Sequence, residues 1–576
     1  MTKKEQFDNS FYNADLTMRK ALVIVPHQDD EINVAGHTIL NLLHMGAEIY
    51  VVYTTNGDYE LDPEVRMKEA QNAFKVLGIP KENMIILGYG DSSFHSSQHL
   101  FQAQKDIITS ASGHSETYGV GRWKEYCYQK NGKHNPYLLS NYINDLKTVI
   151  LDIKADFIFC VDKDEHPDHR ILAIMFDRAM GEILSLQNNV YRPMVFKKFA
   201  YCLAYYAKPD FFSPNIISTQ RPAEGMEKYH YDYMDTSFYR WDDRIRFPAA
   251  KGGESTSLKE NKLGKALLKY ISQYGASHAD RIINGDDVYW QRRTDSLSYQ
   301  AAVVVSSGAS EYLNDYCLFN TDDIMKQEMV PCNYMWTPDK EDRDRKIDFI
   351  WEKGQEISLI RIYGNINNDS RIEKLKISLN TGFNTEIGPF PKNGQPIDIE
   401  LNEVEVTSCT IQILSAKGMN YGIAECEFFS KKEQKNGLPC FIKTLIHNDF
   451  IYTYWISTKI KELPLSFYKY GTSKKTKSVV VIGYSYIKDQ VLYIDKRDNR
   501  IKIKTYLEND ENVYDLVMIE RGHDLQLRSL RVRQKFEVFL VYIYKKRSKL
   551  VRLYIYIKSK GLLYVIKKIK SRQSIK

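Results

Sequence analysis

Two short runs about 140 residues apart hold the residue types of a hydrolytic metal centre: Pro26-His27-Gln28-Asp29-Asp30-Glu31 and Glu165-His166-Pro167-Asp168-His169. A catalytic zinc keeps three protein ligands and leaves a fourth position to water or substrate. His27, Asp30 and His169 supply such a set. A neighbouring carboxylate can take a proton from a water whose pKa the metal lowers to about 7, and Asp29 is that neighbour. A protonated imidazole beside the third ligand would stabilise an oxyanion. His166 fits that part, with Asp168 placed to orient one of the imidazoles. Taken singly, each run has a structural meaning: Asp-Asp-Glu suits a helix start, and His-Pro-Asp suits a turn with a capping Asp. The two together complete one tetrahedral site with a base left over.

The elements that would position them are strands. Ala21-Leu22-Val23-Ile24-Val25 precedes the first run, and Ala155-Asp156-Phe157-Ile158-Phe159-Cys160 shortly precedes the second. Short apolar runs of this kind fit interior strands of a parallel sheet. Ligands of open α/β sheets bind beyond the strands' carboxyl ends, so both runs are expected in one crevice. After the second run, Ile171, Ile174, Met175 and Ala179 recur at helical spacing.

These residues resemble the PIG-L/LmbE-like family of zinc-dependent N-acetylglucosamine deacetylases. Tyr53-Thr54-Thr55-Asn56-Gly57-Asp58 resembles the family's second strand and glycine turn; Arg66-Met67-Lys68-Glu69-Ala70, continuing to Leu77-Gly78-Ile79, resembles its next helix. The resemblance implies a Rossmann-like α/β domain that hydrolyses the acetamide of an amino sugar. His27, Asp30 and His169 would bind Zn2+, with another divalent metal such as Fe2+ as the alternative. Asp29 would be the general base, His166 the oxyanion stabiliser, and Arg66 a substrate contact. Gln28 departs from the commonest family form, which has Pro there.

A chain of 576 residues exceeds one core and suggests roughly three or four domains. We expect an N-terminal extension over 1–18, the mostly parallel α/β domain over 19–293, a jelly-roll-like β-sandwich over 298–431, a second β-rich domain over 437–530 and a basic tail over 531–576. The sandwich follows from period-two alternation at Leu375, Ile377 and Leu379, at Ile397, Ile399 and Leu401, and at Cys409, Ile411 and Ile413. It resembles galactose-binding-like modules, a likeness that leans on Trp336 and Trp351. Lys496-Arg497-Asp498-Asn499 reads as a hairpin turn. Residues 258–274 read as a helix, His278 as a lone histidine, and 91–137 as a long polar loop of the kind that forms lids or insertions. The eight cysteines lack paired spacing and read as buried thiols.

The segment 531–576 carries 15 Lys or Arg against one acid, Glu537; removing its +14 from the chain's +7 leaves −7 for the rest. Tyr, Leu and Ile interleave with those charges, which suits an anionic membrane surface better than nucleic acid, for which no recognition motif is present. Without a secretory signal pattern or a spanning apolar run, the expected location is cytoplasmic, peripheral to the inner face of the membrane. The expected function is a zinc-dependent hydrolase that removes acetyl from an N-acetylhexosamine unit of a glycan, glycolipid or sugar conjugate. The alternatives are a deacetylase of a small soluble N-acetylglucosaminyl conjugate and an inactive carbohydrate-binding protein.

Overall fold

The structure is a computed structural model. It describes residues 15–59, 61–92, 105–164, 166–200, 258–278, 287–319, 334–366 and 369–430, short pieces between them, the backbone of 479–484, 489–495, 500–507, 510–518 and 523–560, and within the last the side chains of 539–558. Residues 1–14, 437–478, the 496–499 turn, Glu165 and nearly all of 561–576 lie outside the described residues.

The first domain is a seven-stranded sheet in the order β3-β2-β1-β4-β5-β7-β6. Its strands are β1 (Lys20–Val25), β2 (Glu48–Thr55), β3 (Met84–Tyr89), β4 (Phe157–Val161), β5 (Met194–Lys198), β6 (Arg244–Phe247) and β7 (Asp287–Arg292). The first five in chain order pair in parallel; β7 runs antiparallel to β5 and β6. Ala21 to Val25 and Phe157 to Val161 are wholly buried, as strands covered on both faces must be. Chain order runs outward from β1 in one direction and from β4 in the other. The crevice between their carboxyl ends is therefore the topological switch point, and both histidine runs begin there.

The helices α1 (Asp30–His44), α2 (Pro63–Leu77), α3 (Tyr126–Asn131), α4 (Leu139–Ile153) and α5 (Pro167–Leu184) accompany these strands. Their starts follow local chemistry. Asp62 caps α2 by accepting from the Glu64 N–H, with Pro63 in the first turn, and Gly78 closes it at φ 90°, a conformation that favours glycine. His166 caps α5 in the same manner, with Pro167 in its first turn.

Three expectations change. The polar stretch after Asp91 is not structureless: it holds α3 and two isolated bridges, Glu116–Pro136 and Val120–Trp123. It is tied down where Tyr118 Oη donates to Asp58 and Asn135 Nδ2 to Asp145. The expected 258–274 helix is a single short one, Lys262–Leu267, which buries Leu263 and Leu267, followed by turns that bury Tyr270. The third concerns Trp336 and Trp351. Both are buried in the second domain's core, their indoles donating to Ser307 O (2.7 Å) and Leu297 O (2.9 Å). They are structural and offer no face to a sugar.

That second domain is an antiparallel β-sandwich of β8 (Ala302–Val305), β9 (Lys346–Gly364), β10 (Arg371–Leu379), β11 (Asn384–Ile387), β12 (Ile397–Lys417) and β13 (Ile423–Phe429). Long β9 and β12 change register near Glu400–Val404 and Val406–Ser408, which lets one sheet fold over its own core. Leu375, Ile377, Leu379, Cys409, Ile411 and Ile413 point inward as their alternation required. Beyond it, β14 (Val479–Tyr484), β15 (Asp489–Asp495), β16 (Arg500–Leu507) and β17 (Asp510–Met518) form an antiparallel meander. The C-terminal helix, His523–Lys560, starts before the expected boundary at 530 and runs through it. Five described cysteines, at 127, 160, 317, 409 and 426, are buried and free.

The sandwich is seated against the first domain. Arg292 of β7 lies 3.5 Å from Glu427 of β13 and stacks over Tyr316, whose N–H donates to Glu425. Gly181 of α5 faces the same seam, where an added Cβ would stand 1.9 Å from the Asp315 carbonyl oxygen. Gly181→Ala should therefore lower stability by about 1–3 kcal/mol, the usual cost of overpacking. Denaturant unfolding measures it; a change within experimental error would show that the seam is loose.

Candidate active site

The site is built where strand ends meet helix starts. Pro26 and His27 follow β1 and lead into α1 through Asp29, which has φ 118° and ψ −22°. That left-handed backbone is costly for a residue with a Cβ and persists where surroundings enforce it, often at functional sites. The enforcing group is Glu31: its buried carboxylate accepts from the Asp29 N–H (3.1 Å), from Tyr53 Oη (2.9 Å) and from Tyr270 Oη. Burial raises Glu31 to about 7, although these hydrogen bonds oppose the rise.

Asp30 Oδ2 lies between two imidazoles, 3.0 Å from His27 Nδ1 and 3.1 Å from His169 Nε2. Donor atoms sharing one zinc at ~2.0–2.1 Å sit roughly 3.0–3.5 Å apart, and the two Asp30 contacts match that spacing. The imidazoles are held from behind by carboxylates. His169 Nδ1 is 2.8 Å from Asp164 Oδ2, and His27 Nε2 is 3.0 Å from Asp91 Oδ1 and 3.1 Å from Asp168 Oδ2. Among the described residues, the groups whose donor atoms all lie close enough together to hold an ion are His27, His166 and His169, and His27, Asp91, His166 and Asp168; Asp30 belongs to neither and enters through its contacts to His27 and His169. The expected residues are thus brought together, and Asp168 is the partner of His27.

The electrostatics express one demand. Burial pushes His27 down, yet Asp91, Asp168 and Asp30 outweigh it and hold it well above its ordinary value. Burial likewise opposes the rise of His169 to about 9, which Asp164 and Asp30 drive. Burial would raise Asp30, but His169 and His27 hold it well below the carboxylate range. Buried carboxylates that outnumber imidazoles require compensating positive charge. A divalent cation meets that requirement, and the donors present fit one.

His166 behaves differently from the imidazolium expected of it. Burial, then the adjacent His27 and His169, hold it well below its ordinary value. Its Nδ1 accepts the Asp168 N–H (3.2 Å), which leaves Nε2 as the nitrogen that can donate. Asp29 is raised well above the usual carboxylate range by burial and by Asp30, with Arg66 opposing. Arg66 is itself buried; it donates to Gly57 O (3.2 Å) and stands 3.7 Å from Asp91. A Cβ at Gly57, φ 66°, would lie 2.6 Å from that guanidinium. The arginine is therefore a brace of the site wall in this structure.

A model of the family described as "PIG-L: GlcNAc-PI de-N-acetylase" matches residues 22–180, which contain both histidine runs. This segment is a PIG-L domain. It includes β1 to β4 and most of α5, while β5 to β7 complete the sheet beyond the matched residues. The chain is similar to an N-acetylglucosaminyl-phosphatidylinositol de-N-acetylase of Bos taurus, 32% identical over 68 residues, which are 12% of this chain and 27% of that one. It thus spans about a quarter of that relative's length. Among solved structures, it is similar to an N,N'-diacetylchitobiose deacetylase from Pyrococcus horikoshii (21% identity, TM-score 0.22, covering 36% of this chain and 72% of that one). It is also similar to a family 32 CBM from C. perfringens NanJ (15% identity, TM-score 0.17, covering 23% and 94%).

Sequence reasoning missed four residues of the PIG-L domain and its surroundings. Asp91 follows Gly90 at the end of β3, a strand-end carboxylate whose only signal was its place. Asp164 lies five residues before His169 and also accepts the His166 and Ala200 N–H groups. Glu31 was visible in the first run but had no assigned part. His278, read as a lone histidine, brings Nε2 within 3.9 Å of Asp29 Oδ2. Because Asp164 holds His169, an expected ligand, Asp164→Asn should weaken divalent-metal affinity by ~10–100-fold while the domain stays folded. Competition with a chelating indicator measures this, and wild-type affinity would remove Asp164 from the metal's support.

Proposed function

We propose that the PIG-L domain hydrolyses the acetamide of an N-acetylglucosamine-type unit, releasing acetate and the free amino sugar. One observation carries this most: Asp29, strained and clamped by Glu31, stands beside an Asp30 carboxylate that joins His27 to His169. His27, Asp30 and His169 would hold a divalent metal, zinc or Fe2+. Such an ion supplies Lewis acidity and lowers the pKa of water to about 7.

The remaining steps belong to this chain's own groups. Asp29 takes the proton of the attacking water as its oxygen bonds to the acetamide carbon. Its raised pKa suits it to keep that proton and then give it to the amine nitrogen as the C–N bond breaks. His166 donates its Nε2–H to the oxygen on which negative charge develops, a neutral donor in a buried pocket. Asp168 keeps His27 aimed, and Arg66 steadies Asp91 and the Gly57 turn. Substrate contact by Arg66 belongs to this proposal too. The first-run and second-run residues are all retained, which favours a working enzyme over an inactive sugar-binding protein.

The test is acetate release by the metal-loaded full chain from N-acetylglucosamine, N,N'-diacetylchitobiose and N-acetylglucosaminyl-phosphatidylinositol. Asp29→Asn should keep its metal and lose turnover by about 100-fold or more, the usual worth of a general base. Asp30→Ala should lose metal and turnover together. Near-normal turnover in metal-loaded Asp29→Asn would overturn the base assignment; no acetate from any N-acetylated sugar would overturn the function. His166→Ala should lower turnover by ~100-fold without deleting a limb of the pH profile, because a ring whose Nδ1 accepts the Asp168 N–H acts as a neutral donor. Loss of an alkaline limb would restore the imidazolium.

A further inference from the structure

The C-terminal helix has three faces with different surroundings. One is docked: Ser548 and Ile555 are buried, Val541 and Tyr544 pack against the first domain's core, and the Arg552 guanidinium stacks 4.7 Å over the Tyr274 ring. Positions 541, 544, 548, 552 and 555 follow the 3.6-residue repeat, so this is one stripe. The opposite stripe is apolar and outward. Phe539, Ile543, Leu550 and Ile557 fall within roughly 40° of one line on the helix, flanked by Tyr542, Leu553 and Tyr554. Phe539 is 56% exposed, Leu550 67% and Tyr554 66%.

The third feature is charge. Lys545, Lys546, Arg547, Lys549 and Lys558 are exposed around the ridge, and no acid occurs from residue 538 to the end of the chain. An outward apolar ridge bordered by cations has the anatomy of a helix that lies in a lipid interface, with its lysine stems reaching up to headgroups. Among the described residues no helix is long and apolar enough to cross a membrane. A second copy of this helix would bring lysines against lysines with no acid to pair them. Nucleic acid would use the charge but leave the ridge in water.

We propose that residues 539–558 dock the protein on an anionic lipid surface: the ridge of Phe539, Ile543, Leu550 and Ile557 enters the interface while the opposite stripe holds the first domain. The helix packs on the turn Gly275–His278, whose His278 reaches Asp29. Docking therefore sets the catalytic rim next to the bilayer, a consequence for catalysis that rests on the deacetylase function proposed above. The docking itself does not.

The experiment is co-sedimentation of the full chain with vesicles of phosphatidylcholine, with and without phosphatidylserine, across a salt series. The wild-type chain should bind phosphatidylserine vesicles at low salt at least tenfold more tightly than phosphatidylcholine alone, and release partly as salt rises. Each cation near such a surface is worth roughly fivefold in binding, so Lys546→Glu with Lys549→Glu should weaken it by ~10-fold or more. Leu550→Asp with Ile557→Asp should do the same through the ridge. These positions are exposed, so thermal unfolding and acetate release from a soluble sugar should match the wild type. Equal binding to both vesicle types, or either variant pair binding as the wild type does, would overturn the proposal. So would a dimer in solution that the ridge variant dissolves, or tighter binding to duplex DNA that the ridge variant leaves intact.

Discussion

The charge balance of one buried cage governs this protein's first domain. Asp30, Asp91, Asp164 and Asp168 each lie within hydrogen-bond reach of His27 or His169, and Asp29 stands alongside. Carboxylates removed from water are tolerable only with close positive partners. The fold supplies part of that partnership from its backbone. The helices α1 and α5 both begin at the cage, with Asp29 and His166 at their caps, so the positive ends of two helix dipoles point at it. The Ser92 N–H donates to Asp168 and the Ala200 N–H to Asp164. What is left over is a demand for cationic charge at the centre, which protons on imidazoles or a divalent ion can satisfy.

The demand explains why the surroundings are rigid. A strained Asp29 needs Glu31, and Glu31 needs Tyr53 from β2 and Tyr270 from beyond α5. Glu69 of α2 binds the same later segment through the Ser272 N–H and hydroxyl. The segment that follows the matched family residues thus closes the cage. The sandwich then braces β7 through Arg292, Tyr316 and Glu427, a buried seam that gives it a structural use, whatever it binds.

The sequence made the strand-end placement of both histidine runs legible, because each is contiguous and each follows a wholly apolar strand. Period-two alternation likewise located β10 and β12. Contacts made over long separations were not legible: nothing near His278 or Tyr270 says that they close on Asp29 and Glu31, some 240 residues earlier. Trp336 and Trp351 show a different limit, since a tryptophan in a β domain serves a core or a sugar face equally well until its burial is known. His166 shows a third. Its type suggested a cation, whereas its environment, two neighbouring imidazoles and a backbone N–H donated to Nδ1, favours the neutral form. In the C-terminal helix the interleaving of Tyr, Ile and Lys was visible, but which stripe faces outward depends on the domain against which the other stripe packs.

The central claim, that the cage is a divalent-metal centre built on His27, Asp30 and His169, is tested most directly by anomalous diffraction from crystals of the full chain grown with zinc. A single strong peak bonded to those three side chains, with Asp91, Asp164 and Asp168 outside bonding distance, is the result this account predicts. A peak ligated by Asp91 and Asp168 in place of Asp30, or a cage that stays protonated and metal-free at saturating zinc, would contradict it.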